Sequence, residues 1–171
     1  MTAEYTWETQ YPQALWSEIL PGLWQGGTHD NDVQGRSMFA QRQQPDRANF
    51  DSVYTLAGWA NGAGANVKEM RFAIEDGDMH DFDAATDLWP LVESAHADWK
   101  AGKRVLIRCR AGLNRSGLVM ALVLIREGYE PQDAIDLIRE KRGEDALCNW
   151  IFVEWLLTEA RPTFWRAEQA A

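Results

Sequence analysis

At 171 residues the chain has the length of one domain, enough to bury most of the surface that its unfolded form exposes. Hydrophobic residues make up 46% and charged residues 25%, a balance that fits a globular domain and argues against a disordered or membrane-embedded chain. The net charge of −9 argues against a surface that grips polyanions, because nucleic-acid affinity rests on many lysine and arginine contacts to phosphate.

The pattern along the chain predicts alternating strands and helices. Residues 1–16 read as an N-terminal arm, and Glu18 to Gln25 as a first strand entering a Gly26-Gly27 turn. Residues 28–49 are polar and read as a long connection with one short helix around Ser37-Met38-Phe39. Val53 to Leu56 is a second strand, and the glycines between Gly58 and Asn66 mark a loop. Met70 to Ile74 and Arg104 to Arg108 complete the sheet. Between them Ala84 to Lys100 carries Leu88, Leu91, Val92, Ala95 and Trp99 on one helical face, with Pro90 expected to bend the helix or mark its true start. Three helices follow, over 114–127, 131–142 and 145–159, and 161–171 reads as a tail. The expected fold is a single α/β domain over 17–160, with a mostly parallel, twisted sheet of four to five strands and helices on both faces. The nine tryptophans are scattered and read as core and rim packing.

The run Cys109-Arg110-Ala111-Gly112-Leu113-Asn114-Arg115-Ser116-Gly117 lies between the apolar strand Val105-Leu106-Ile107 and the apolar helix Leu118 to Ile125. A helix start has unpaired N–H groups and roughly half a positive charge, so an anion fits there. Gly112 relieves the clash that a curled, inward-pointing backbone creates. Arg115 can fork two N–H bonds onto phosphate oxygens, a planar grip that lysine lacks. The same positive field favours thiolate over thiol at Cys109, making it a nucleophile; the competing reading is a buried small hydrophobe.

Arg108 to Gly117 resembles the signature loop of the cysteine-dependent protein phosphatases, Cys-x5-Arg-Ser/Thr, and most closely that of the dual-specificity branch. Gly22-Leu23-Trp24-Gln25-Gly26-Gly27, Phe50 to Leu56, Phe72 to Gly77, Ala134 to Arg142 and Ala146 to Phe152 resemble further pieces of that domain in the right order. Low-molecular-weight tyrosine phosphatases and arsenate reductases carry their loop near the N-terminus, and rhodanese-like phosphatases lack the upstream Ile-x-Asp-Gly segment. The resemblance implies a phosphatase that forms a cysteinyl-phosphate and needs no cofactor or metal. The three histidines, His29, His80 and His96, show no metal-ligand spacing.

The resemblance also implies roles. Asp76 would be the general acid, with Asp78 as runner-up and an acidic solvated turn as the plain alternative. Ser116 would ease departure of the thiolate, or simply bond the backbone at the helix start. Arg110, Ala111, Gly112, Leu113, Asn114 and Arg115 would cradle the phosphate, and Asn149 would help position water. One departure stands out: Arg108 occupies the place of the family histidine. Arginine donates hydrogen bonds and adds charge, so thiolate formation is expected to survive; for both Arg108 and Arg110 the alternative is a solvated charge at a strand end, the favoured reading for Arg110. Cys148 is expected to be buried and inert, the alternative being that it captures an oxidised Cys109 as a disulfide.

The expected partner is a phosphorylated protein, bound in a shallow site open to phosphotyrosine and also to phosphoserine or phosphothreonine. Alternatives are a phosphoinositide phosphatase, an RNA 5′-triphosphatase, disfavoured by the acidic balance, and a non-catalytic phosphoprotein-binding pseudophosphatase. Neither nucleic acid nor a membrane is an expected partner: the longest apolar run, Leu118 to Ile125, falls far short of the roughly 20 residues of a span. Two cysteines and no basic or apolar leader at the start of the sequence lead to the expectation of a cytoplasmic location.

Overall fold

The computed structural model describes residues 14–28, 32–33, 36–37, 44–79 and 83–161. Its strands are β1 (Trp16–Leu20), β2 (Leu23–Gly26), β3 (Asp32–Val33), β4 (Arg36–Ser37), β5 (Ser52–Thr55), β6 (Lys68–Arg71) and β7 (Val105–Arg108). Its α-helices are α1 (Trp89–Lys100), α2 (Arg115–Glu127), α3 (Pro131–Arg142) and α4 (Trp150–Thr158). Five strands form one sheet in the order β1-β2-β7-β5-β6, parallel except for the β1-β2 hairpin, while β3 and β4 form a separate two-stranded ladder.

The single strand expected over Glu18 to Gln25 is therefore two strands. Pro21-Gly22 reverses the chain, with Gly22 at φ +81° and its N–H bonded to Glu18 Oε1 at 2.8 Å. Pro90 does mark the true start of α1, which follows a turn of π-helix at Ala84–Leu88. The last helix begins later than expected because the Asn149 side chain accepts the N–H of Ile151 at 3.1 Å and caps it there. Ser37 belongs to β4 rather than to a helix, and Met38 and Phe39 lie outside the described residues. Most of the expected arm and tail lies outside them too, though Trp16 already belongs to β1.

Strand side chains alternate between the two faces of the sheet. Leu23, Tyr54, Val105 and Ile107 point into one core with the buried faces of α1 to α4. Val53 and Leu106 point the other way, to Phe50, Trp16 and Trp24. There the Phe50 ring meets Trp16 and Trp24 edge-on, at 4.9 and 6.0 Å between centroids. Helices on both faces were expected; the described helices share one face, and among the described residues the other carries a small aromatic cluster. Among the described residues no helix is long and apolar enough to cross a membrane.

One polar cluster ties α1 to the sheet. Asp98 accepts from Tyr54 Oη (2.8 Å), Lys68 Nζ (2.8 Å) and Lys103 Nζ (2.7 Å). Burial pushes the Asp98 carboxyl up, but the bonds from Lys103, Lys68 and Tyr54 outweigh it and hold the group well below the usual carboxylate range. A carboxylate depressed in the folded state stabilises the fold above its unfolded value, near 3.9, and loses that contribution as pH falls toward the folded value. Asp98→Asn is expected to cost about 1–3 kcal/mol at neutral pH, and less as the solution is acidified below about pH 4, read from urea midpoints across pH.

Candidate active site

The parallel pairing of β2 with β7 sets the site, because it lays the end of β2 beside the loop that leaves β7. Cys109 N–H donates to Gly26 O at 3.1 Å, and Thr28 N–H donates to Arg110 O at 3.0 Å. The loop then curls through Gly112 at φ +74°, where a Cβ would lie 2.3 Å from the Gly26 carbonyl carbon. Only glycine satisfies both the dihedral and the space.

Two side chains brace this curl from below. Gln25 Nε2 donates to Gly112 O at 3.1 Å, and Arg142 Nε donates to the same oxygen at 3.0 Å. Arg142, 3% exposed, also donates to Ala111 O, Ala14 O and Ser17 Oγ. Burial pulls its guanidinium down to about 10, opposed by the sulfur of Cys109, so it stays cationic at neutral pH. A buried cation thus braces, through the carbonyls of Gly112 and Ala111, the loop that carries the cysteine. Neither Gln25 nor Arg142 carries a local signal for this role, since each reaches the loop only through the tertiary fold.

Cys109 is buried, with Sγ 3.3 Å from the buried Ser116 Oγ. Arg115, the first residue of α2, donates from Nη1 to Ile74 O at 3.2 Å, and its buried Nε has no partner among the described residues. A buried N–H without a partner is a donor that the described residues leave unsatisfied. Asp76 stands across the cleft: Oδ2 accepts from Asn114 Nδ2 and Oδ1 from Asn149 Nδ2, both at 3.2 Å. Asn149 also donates to Gly77 O at 3.1 Å, and its own N–H donates to Asn114 Oδ1 at 2.9 Å. Two amides therefore link the Asp76 loop, the cysteine loop and the start of α4.

The resulting cleft has a volume of about 470 Å³ and is lined by Trp59, Glu75, Asp76, Cys109, Arg110, Ala111, Leu113, Asn114, Arg115 and Cys148. Asp78 is exposed and is not among these residues. Arg110 is exposed at the rim. Cys148 is exposed rather than buried, and both cysteines are free thiols. Arg108 is neither a solvated charge nor a lining residue. It points to the face opposite the helices, fully buried, where it donates to Thr55 Oγ1 at 2.9 Å and pairs with Glu69 at 3.1 Å.

A cysteine facing a helix start, an arginine with a free buried N–H and a carboxylate across the cleft can bind a tetrahedral oxyanion, attack it and move a proton. Residues 37–161 match the model of the family described as dual specificity phosphatase, catalytic domain. The chain belongs to that family. Solved structures share the fold. Human DUSP28 superposes with a TM-score of 0.64 at 19% identity, covering 85% of this chain and 98% of that one. PTPMT1 in complex with PI(5)P gives 0.65 at 18% identity, covering 90% and 99%. Among curated relatives, the rat protein cyclin-dependent kinase inhibitor 3 is 36% identical over 76 residues, 43% of this chain. That match spans about a third, 34%, of the relative's own length.

Proposed function

We infer that this member of the dual-specificity phosphatase family is an active phosphatase that hydrolyses phosphate monoesters through a cysteinyl-phosphate. The observation that carries the reading is the set Cys109, Arg115 and Asp76 around one cleft, with the buried Ser116 Oγ 3.3 Å from Cys109 Sγ. Phosphate oxygens take the N–H groups of the loop from Arg110 to Arg115, and the Arg115 guanidinium holds the charge that builds in the transition state. Cys109 Sγ attacks phosphorus in line; as the S–P bond forms, the P–O bond to the leaving group breaks. The protonated Asp76 gives its proton to that oxygen. Water then attacks phosphorus, Asp76 takes a proton from it, and the S–P bond breaks with Ser116 Oγ–H bonding to the departing thiolate. Asn114 and Asn149 hold Asp76 over the reacting atoms, and Asn149 helps position the water.

The substrate class is a phosphorylated protein carrying phosphotyrosine, with phosphoserine or phosphothreonine also accepted, and two free thiols fit work in the reducing cytoplasm. A phosphoinositide is the second reading, supported by the likeness to a structure holding PI(5)P. Release of phosphate from an aryl phosphate, a phosphotyrosine peptide and a short-chain phosphoinositide tests both. The reading expects turnover of the first two; rapid release from the phosphoinositide alone would shift it to the lipid, and no release from any would leave a phosphate-binding protein.

A further inference from the structure

Trp59 is 54% exposed on the rim of the cleft that holds Cys109 and Arg115. The turn beneath this exposed indole is clamped. Arg71 Nη2 donates to the carbonyl oxygens of Ala57 (3.4 Å), Gly58 (3.2 Å) and Ala60, and Arg108 Nη2 donates to that of Asn61 at 2.5 Å. Ala60 N–H closes the turn onto Ala57 O at 3.2 Å. Both arginines converge on one carboxylate, Glu69, at 3.3 and 3.1 Å, which also accepts from Thr55 Oγ1 (2.6 Å) and Ala63 N–H (3.0 Å). Arg108 is the residue that departs from the family pattern, and here it serves the frame of this turn. Two arginines and a carboxylate thus fix the backbone that presents a large apolar ring at the mouth of the cleft.

We propose that Trp59 is a specificity-determining residue, an aromatic wall against which the ring of a phosphotyrosine packs while its phosphate lies on the Cys109 loop. A ring carried on a clamped turn spares the backbone part of the ordering cost of binding, and an aromatic pair gains beyond the area it covers. Phosphoserine and phosphothreonine present no ring to Trp59, so the wall favours phosphotyrosine over both. The cleft volume of about 470 Å³ falls within the range of pockets for small ligand groups. The inference rests on the phosphate-site reading above, but not on turnover.

Equilibrium binding to the full chain carrying Cys109→Ser tests it, using a phosphotyrosine peptide, the same peptide with phosphothreonine, and inorganic phosphate. Adding Trp59→Ala is expected to raise Kd for the phosphotyrosine peptide roughly three- to tenfold and to leave the other two unchanged. Trp59→Phe is expected to retain most of the affinity. Equal losses for both peptides, or an unchanged phosphotyrosine Kd, would overturn the wall. Failure of inorganic phosphate to bind the Cys109→Ser protein would instead mark failure of the phosphate site itself.

Discussion

Cys109→Ser is expected to abolish turnover while leaving phosphate binding largely intact. The hydroxyl that replaces the thiol is a far weaker nucleophile in the same loop, whereas the amide cradle and Arg115 stay in place. Such a nucleophile acts as part of an all-or-none unit, so activity should fall below about a hundredth of the parent. Arg115→Lys is expected to damage binding and rate together, because a point charge cannot replace the planar fork and no longer offers the unpartnered Nε. Steady-state kinetics on an aryl phosphate, with phosphate as a competitive inhibitor, separates the two effects. If Cys109→Ser kept more than that hundredth, a mechanism without a covalent cysteine would have to replace the present one.

Asp76→Asn is expected to slow aryl phosphates with poor leaving groups much more than those with good ones, whose oxygen needs little protonation. General acid catalysis is worth roughly 10²–10⁴-fold, and the deficit should approach that range only for the poor leaving groups. Asp76 sits in the cleft, held by two amides, whereas Asp78 does not line it, so Asp78→Asn should leave the leaving-group dependence unchanged. A larger, leaving-group-dependent loss for Asp78→Asn would move the acid two residues along the loop and leave the rest of the mechanism standing.

The parts of this arrangement that were legible beforehand are those that one continuous stretch of chain specifies. The Cys109 to Ser116 loop between an apolar strand and an apolar helix is one, and the predicted start of α3 at Pro131 is another. The β1-β2 hairpin was missed because its turn is short and sits inside an otherwise continuous strand pattern. The direction of Arg108 was missed for a different reason. At a strand end the neighbouring cysteine draws attention to its charge, but alternation along β7 sends its side chain to the opposite face, and Glu69 and Thr55 come from other strands. Arg142, Gln25 and Trp59 are distant in sequence from Cys109; the parallel pairing of β2, β7 and β5 brings up the segments of Gln25 and Trp59, and the packing of α3 on β1 and α2 brings Arg142. Local pattern therefore locates the Cys109 loop, while the braces behind it and the rim in front of it depend on tertiary contacts.

The most direct test of the mechanism is to quench the reaction of the full chain with a fast aryl phosphate in acid and map the phosphate by mass spectrometry. The account predicts a phosphate adduct on Cys109, absent from Cys109→Ser and more abundant in Asp76→Asn, where water is activated less well in the second step. Rapid turnover with no adduct on Cys109 under these conditions, or an adduct on another residue, would contradict it.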